Sequence, residues 1–245
     1  MNLPRVAFIY LVGVVLFMAC KFSVDKEEIT KYSVAVQSVE AGDSIELIEE
    51  ALLISSNTID YDTLQWNEIK NEDGFLIDMR YATKNNFTKE IIYNCGRCFL
   101  RPELARKLAA INQQILRENN WHFKLFDCYR PRPAQEKLWE IVPNPIYVTP
   151  PQKGSMHNRG LAVDLTFVDT NGVELDMGTA FDYFGPLAHH NNKDHSKEII
   201  ERRIYLKNLM ESHGFNAITS EWWHYSLNGT GHGFSDWEWE CGDVN

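Results

Sequence analysis

The sequence has no lysine- and arginine-rich run anywhere in its 245 residues, and its formal net charge is −10. Binding a phosphate backbone requires a concentrated positive surface, so nothing here points to a nucleic-acid partner. No apolar stretch reaches the twenty or so residues that a membrane-spanning helix needs. Internal repeats are absent, which removes solenoid and propeller architectures. No second Cys-x-x-Cys follows Cys95 and Cys98, so a paired-knuckle zinc fold is not expected. Disorder throughout is excluded by what is present, since 44% of residues are apolar and 12% aromatic. The length suits one fair-sized domain with appendages.

Residues 1–20 read as a targeting segment. Arg5 is its only charge, residues 6–19 are apolar with one glycine, and Cys20 follows Ala19. An apolar run that short suits the core of a signal peptide. Leu16-Phe17-Met18-Ala19-Cys20 resembles a bacterial lipobox, which predicts an exported, periplasmic or cell-envelope protein whose one membrane contact is a lipid on Cys20. An ordinary cleaved signal and an uncleaved anchor are the alternatives. Residues 21–60 are read as an acidic tether and N-terminal extension, with one short helix over 45–54, and residues 61–245 as the catalytic domain. Export places Cys95, Cys98, Cys128 and Cys241 in an oxidising compartment, where structural disulfides are expected in any of three pairings.

Along the domain, residues 75–81 have strand character. Residues 102–119 form an amphipathic helix, with Leu104, Leu108, Ile111 and Ile115 on one stripe and Pro102 at its start. Residues 121–127 alternate as a strand, 134–141 form a short helix, and 143–154 an irregular loop. A strand over 161–167 turns Leu161, Val163 and Leu165 one way and Ala162, Asp164 and Thr166 the other. Residues 196–213 form a helix, capped by Ser196 and ended by Gly214, and 222–227 the last strand. Without a βαβ rhythm the expected class is α+β.

Two stretches carry chemistry: Ser155-Met156-His157-Asn158-Arg159-Gly160-Leu161-Ala162-Val163-Asp164, and Glu221-Trp222-Trp223-His224. His157, Asp164 and His224 make a three-ligand set for a catalytic zinc, with a fourth position left for water. Glu221 is then the spare carboxylate that moves the water's proton. A charged Asp inside an apolar strand is costly unless paired or metal-bound; taken alone, Asp164 would be read as satisfied by an Arg or by backbone. The adjacent pair His189-His190 is discounted, because neighbouring residues rarely converge on one ion. One geometric demand follows. Glu221 and His224 are three apart and would face opposite sides of a flat strand, so Glu221 is predicted before the regular strand or at a bulge.

Together, Ser-x-His-x-x-Gly-x-Ala-x-Asp and Glu-x-Trp-His resemble the zinc D-alanyl-D-alanine carboxypeptidase and dipeptidase group, most closely its VanX-type dipeptidases. Supporting pieces are Arg80-Tyr81-Ala82-Thr83, Asn86-Phe87-Thr88, Tyr129-Arg130-Pro131, Met177-Gly178 and Phe181-Asp182. The resemblance implies the Hedgehog/D-Ala-D-Ala peptidase-like fold, a central antiparallel sheet flanked by helices. It implies Zn2+ on His157, Asp164 and His224, with Glu221 as general base and acid and Arg130 stabilising the transition state. Asp182 would hold the dipeptide's ammonium, and Ser155 would contact its carboxylate. The residues by themselves leave Arg130 open as a structural ion-pair partner and Asp182 as a turn cap. The activity implied is hydrolysis of D,D-dipeptides in cell-wall turnover. Its rivals are a D,D- or L,D-carboxypeptidase acting on peptidoglycan stem peptides and an inactive zinc-containing binding module.

Overall fold

Helix α1, Pro102–Asn119, forms where the apolar stripe predicts it, and Leu104, Leu108, Ile111 and Ile115 are all fully buried. Burying each such side chain stabilises by about 1.5–3 kcal/mol, which is what holds the helix against the sheet. Its last carbonyls are met by the backbone of Asn120, in the left-handed conformation at φ 55°. These and all other elements belong to a computed structural model that describes residues 60–228 and 231–242. The targeting segment, the tether and the expected 45–54 helix lie outside the described residues.

The main sheet has five strands: β2 (Leu76–Ile77), β4 (His122–Asp127), β5 (Ala162–Val168), β7 (Glu221–Ser226) and β6 (Asn216–Ile218), in that spatial order. Helix α2 spans Arg132–Ile141 and α3 spans Lys197–Ser212. Ser196 caps α3 by accepting the Ile199 N–H, and Gly214 takes the left-handed position after it. The α+β class holds, with two corrections. The sheet is not wholly antiparallel, since β2 runs parallel to β4 at its edge. The strand expected over residues 75–81 shrinks to Leu76–Ile77, because beyond Asp78 the chain turns into a 3-10 segment, Arg80–Ala82, that buries Tyr81.

Strand β5 is central and buried on both faces. Leu161, Val163, Leu165 and Phe167 pack with α1 and α3 into the larger core. A second, aromatic cluster gathers Trp66, Tyr81, Tyr93, Phe99, Tyr129 and Trp239. It rests on a two-stranded ladder of β1 (Asn67–Ile69) and β3 (Cys98–Leu100), neither of which the alternation pattern singled out. The C-terminal segment is strapped over this cluster. The Tyr129 hydroxyl donates to the carbonyls of Ser235 (3.0 Å) and Trp237 (2.7 Å), and the Ser235 N–H donates to the Asn158 carbonyl (2.9 Å).

All four cysteines of the domain pair, and one of the three possible connectivities is selected: Cys95–Cys241 and Cys98–Cys128. The first ties the strap to the body across 146 residues of sequence; the second pins the end of β4 to β3 across 30. Cross-linking so long a loop removes much of the unfolded chain's freedom. Replacing Cys95 and Cys241 together by Ala should lower the unfolding free energy by about 2–5 kcal/mol in urea titration. A change below about 1 kcal/mol, or a peptide map with another pairing, would contradict this connectivity.

Candidate active site

Register brings the site together. Asp127 pairs with Asp164 across β4 and β5, and Asp164 pairs with His224 across β5 and β7. Three adjacent strands thus present polar side chains at one level. Between Leu125 and Asp127 the β4–β5 ladder shifts, and the shift buries Phe126 and Asp127 in succession where strict alternation would expose one.

His157 comes from a 3-10 turn, His157–Arg159, that ends at Gly160 with φ 71°. A Cβ at Gly160 would lie 2.4 Å from the Trp66 ring and require a left-handed backbone, so glycine is what lets the turn run directly into β5. Asn158 fastens the turn: its amide donates to the Arg130 carbonyl (2.8 Å), and its side-chain oxygen accepts the Ser155 N–H (2.8 Å).

The result is a convergence of three donor atoms. His157 Nε2 lies 3.3 Å from Asp164 Oδ1 and 3.1 Å from His224 Nδ1, and His224 Nδ1 lies 3.0 Å from Asp164 Oδ1. His157 Nδ1 is 2.7 Å from the Cys128 carbonyl, which can only accept. That bond places the proton on Nδ1 and turns the Nε2 lone pair toward the other two atoms. Among the described residues, this is the group of His, Cys, Asp and Glu able to hold a metal ion. Asp164 is not satisfied by an Arg or by backbone; its close partners are the two imidazoles, which outweigh burial and hold its carboxyl far below the usual range. His190, half of the discounted pair, packs its ring against Tyr225 and is pushed down to about 4 by burial and by Lys207 and Arg203.

Glu221 meets its geometric demand through a bulge. Ala217 pairs with Tyr225, yet the next residue, Ile218, pairs with Glu221, so β7 carries extra residues between these points. Glu221 and His224 consequently line the same cavity. Burial first, then the charges of Asp164 and Asp182, push the Glu221 carboxyl well above the ordinary range, against Arg130.

Arg130 is a structural ion-pair partner and also lines the cavity. Its Nε and one terminal nitrogen donate to Asp127 Oδ2 at 3.1 and 2.6 Å, and its other terminal nitrogen donates to Gln135 Oε1 at 2.9 Å. Three of five N–H groups are used, and the buried guanidinium still lines the cavity. Asp127 is fully buried; it also accepts the Tyr93 hydroxyl at 2.7 Å and lies 3.5 Å from His157 Nδ1.

Asp182 is not a turn cap. It sits at φ 59°, its Oδ1 accepts the Tyr81 hydroxyl at 3.3 Å, and its Oδ2 is buried without a partner. Burial and then the charge of Asp164 push this carboxyl well up. Ser155 is on the cavity wall and its Oγ accepts the His157 N–H at 3.1 Å, leaving its own O–H to donate. All seven predicted site residues therefore line one cavity of about 290 Å³.

Sequence reasoning missed the supports: Asp127, Gln135, Tyr81, Tyr93 and Asn158. Tyr81 stood inside a quoted motif and Asp127 at the end of a clean strand, but their work is done across the fold, which leaves no local signal.

A protein-family model described as D-Ala-D-Ala dipeptidase matches residues 66–239. The D-alanyl-D-alanine dipeptidase of Escherichia coli is 36% identical over 151 residues, covering 62% of this chain and 78% of that one. That of Enterococcus faecium is 31% identical over 171 residues, covering 61% and 84%. That of Enterococcus faecalis is 30% identical over 192 residues, covering 64% and 92%. The family match spans both strands that carry the convergent donors, the turn that carries His157 and the loop that carries Asp182, and so the chain belongs to the D-Ala-D-Ala dipeptidase family of peptidases.

Proposed function

We propose that the chain hydrolyses D-alanyl-D-alanine or closely related D,D-dipeptides to free D-amino acids, with zinc as its metal. The observation that carries this reading is Asp182: a buried, unpartnered carboxylate oxygen in the same cavity as a three-donor metal set. Two imidazoles and one carboxylate form a donor set that zinc prefers. Their mutual spacings of 3.0–3.3 Å suit a tetrahedral face built on bonds of about 2 Å.

Zinc held there would make a bound water acidic near neutral pH and polarise the scissile carbonyl. Glu221, whose carboxyl is raised well above the ordinary range by burial, takes the attacking water's proton and delivers it to the leaving amine. Arg130, held rigid by Asp127 and Gln135, offers its remaining N–H groups to the oxygen that gains charge. Asp182 pairs with the free ammonium, and the Ser155 hydroxyl faces the carboxylate end. An N-acylated peptide would leave the Asp182 charge buried and unpaired, which disfavours stem peptides as substrates.

Export fits this reading. Every cysteine of the domain is in a disulfide, the state expected of a protein outside the reducing cytosol. We infer that the protein is carried out by residues 1–20 and held to a membrane through Cys20. A dipeptidase in that place meets dipeptides released from the wall, and its role is recovery of their D-amino acids. Loss of the gene should impair growth on D-alanyl-D-alanine as a nutrient; unchanged growth would refute this role.

Four outcomes test the chemistry. Glu221→Ala should keep its zinc by elemental analysis and lose about 100- to 10,000-fold in kcat; zinc loss instead would show that Glu221 is a ligand. Asp182→Asn should lower kcat/KM for free D-alanyl-D-alanine by about 100-fold, mostly through KM. The N-acetylated dipeptide should be a poor substrate for the unaltered enzyme, and equal cleavage of both forms would favour the carboxypeptidase alternative. Asp127→Asn should loosen Arg130 and His157 together, reducing zinc affinity about 10- to 100-fold as well as kcat; a fall in kcat with zinc binding unchanged would limit Asp127 to Arg130.

A further inference from the structure

The cavity has two chemically different ends. One is charged: the metal donors, Glu221, Arg130 and Asp182. The other is a shelf of partly exposed aromatic rings, Phe87, Tyr147 and Phe184, that opens on the same space. The rings are built as a unit. Phe184 stacks on Tyr147 with centroids 4.4 Å apart and 15° between planes, and its other neighbour is Phe87 at 4.8 Å. Partly exposed rings grouped beside a polar site are a ligand-binding feature, since a surface with no ligand gains nothing from them.

The shelf is anchored to the ammonium end. Phe87 meets the Tyr81 ring edge-on at 6.1 Å, and the Tyr81 hydroxyl donates to Asp182 at 3.3 Å. Phe184 is two residues beyond Asp182 in the chain. This placement limits where a substrate's first side chain can go. The α-carbon that bears the ammonium also bears that side chain, so both lie close to the Asp182 carboxylate. On the metal side the space is filled by Arg130 and His157, which are buried and polar. Leu138, Val148, Met156 and Trp223 also line the cavity, but the shelf is the apolar wall linked to Asp182 through Tyr81.

Resting on the dipeptidase reading above, we infer that Phe87, Tyr147 and Phe184 form the subsite for the side chain of the dipeptide's N-terminal residue. The subsite takes apolar side chains larger than methyl, because the ammonium is held apart from it by Asp182. The substrate class is therefore D,D-dipeptides with an apolar first residue, of which D-alanyl-D-alanine is the smallest member.

The test compares D-Ala-D-Ala, D-Leu-D-Ala and D-Ala-D-Leu on the zinc-loaded full chain. D-Leu-D-Ala should be cleaved with kcat/KM at least equal to that of D-Ala-D-Ala. Phe184→Ala should lower the D-Leu-D-Ala to D-Ala-D-Ala ratio by about tenfold or more, while the D-Ala-D-Leu to D-Ala-D-Ala ratio stays where it was. The inference falls if the unaltered enzyme cleaves D-Leu-D-Ala more than about tenfold less well than D-Ala-D-Ala. It falls equally if Phe184→Ala shifts neither ratio or shifts both alike. Calorimetric binding of the same dipeptides to zinc-loaded Glu221→Ala protein, with and without Phe184→Ala, reads the subsite in the absence of turnover. Binding preference without cleavage by the unaltered enzyme would sink the dipeptidase reading and keep the shelf; cleavage without the preference would sink the shelf alone.

Discussion

Uncompensated negative charge in a dry place governs this structure. Asp127, Asp164, Asp182 and Glu221 are set in or beside one cavity, and Arg130 is the guanidinium among them. Four carboxylates against one buried cation, with the exposed Lys153 as the other cation in the lining, leave an excess of negative charge when all are ionised. A low-dielectric site does not tolerate that excess. Burial and then the neighbouring carboxylates push Asp182 and Glu221 well up, while the two imidazoles outweigh burial at Asp164 and hold it down. A divalent metal at the His157, Asp164 and His224 donors together with one substrate ammonium at Asp182 supplies three positive charges. The charge pattern thus suits the two cations that the proposed reaction brings, and the same imbalance raises the Glu221 carboxyl, as its proposed proton-transfer role requires.

Holding such groups together requires a rigid frame, and the frame is built redundantly around the segment from Asp127 to Arg130. Asp127 ends β4 beside Asp164, Cys128 is bonded to Cys98, and the Tyr129 hydroxyl is bound by the C-terminal strap. Arg130 in turn receives the Asn158 amide on its carbonyl and donates its backbone N–H to the His157 carbonyl. Through the carbonyl of Cys128 this segment also sets which nitrogen of His157 faces the metal position. Four consecutive residues therefore tie the sheet, the aromatic cluster, one donor and the Arg130 guanidinium into one body. The strap's disulfide to Cys95 stabilises that body from the far side.

The sequence made the site's chemistry legible, and hid its scaffolding. Residue type declares a ligand: His157, Asp164 and His224 are few, reactive and set in recognisable spacing, and the fold gathers them as expected. Helix α1 was equally readable, since a stripe of four aliphatic residues and Pro102 at its first turn are local signals. The need for a bulge at Glu221 could be deduced because strand periodicity is rigid arithmetic. What stayed hidden depends on partners distant in the chain. Asp127 looks like any strand-ending Asp until Tyr93, Arg130 and His157 surround it. The strand expected over residues 75–81 was lost because its β character was satisfied by aromatic packing of Tyr81 in place of ladder bonds. Disulfide pairing followed from the β1–β3 ladder and the strap, neither of which has a strong local pattern.

The two ends of the cavity divide the work of recognition. In the proposed reaction, charge at the buried end decides that a dipeptide enters: a free ammonium would satisfy Asp182, and an acyl group would not. Such discrimination is steep, because a buried ion left unpaired costs several kcal/mol. The aromatic end works on a gentler scale, where each methylene added to an apolar contact contributes about 1 kcal/mol. Phe87, Tyr147 and Phe184 can therefore grade first residues by size without excluding the small ones. The proposed recovery of wall-derived dipeptides would be served by this combination: strict about the free terminus, permissive about the side chain. The strictness is set by groups the frame holds immobile, while the permissiveness lies in rings at the mouth, outside the charged network, where substitution can retune preference without disturbing the metal donors.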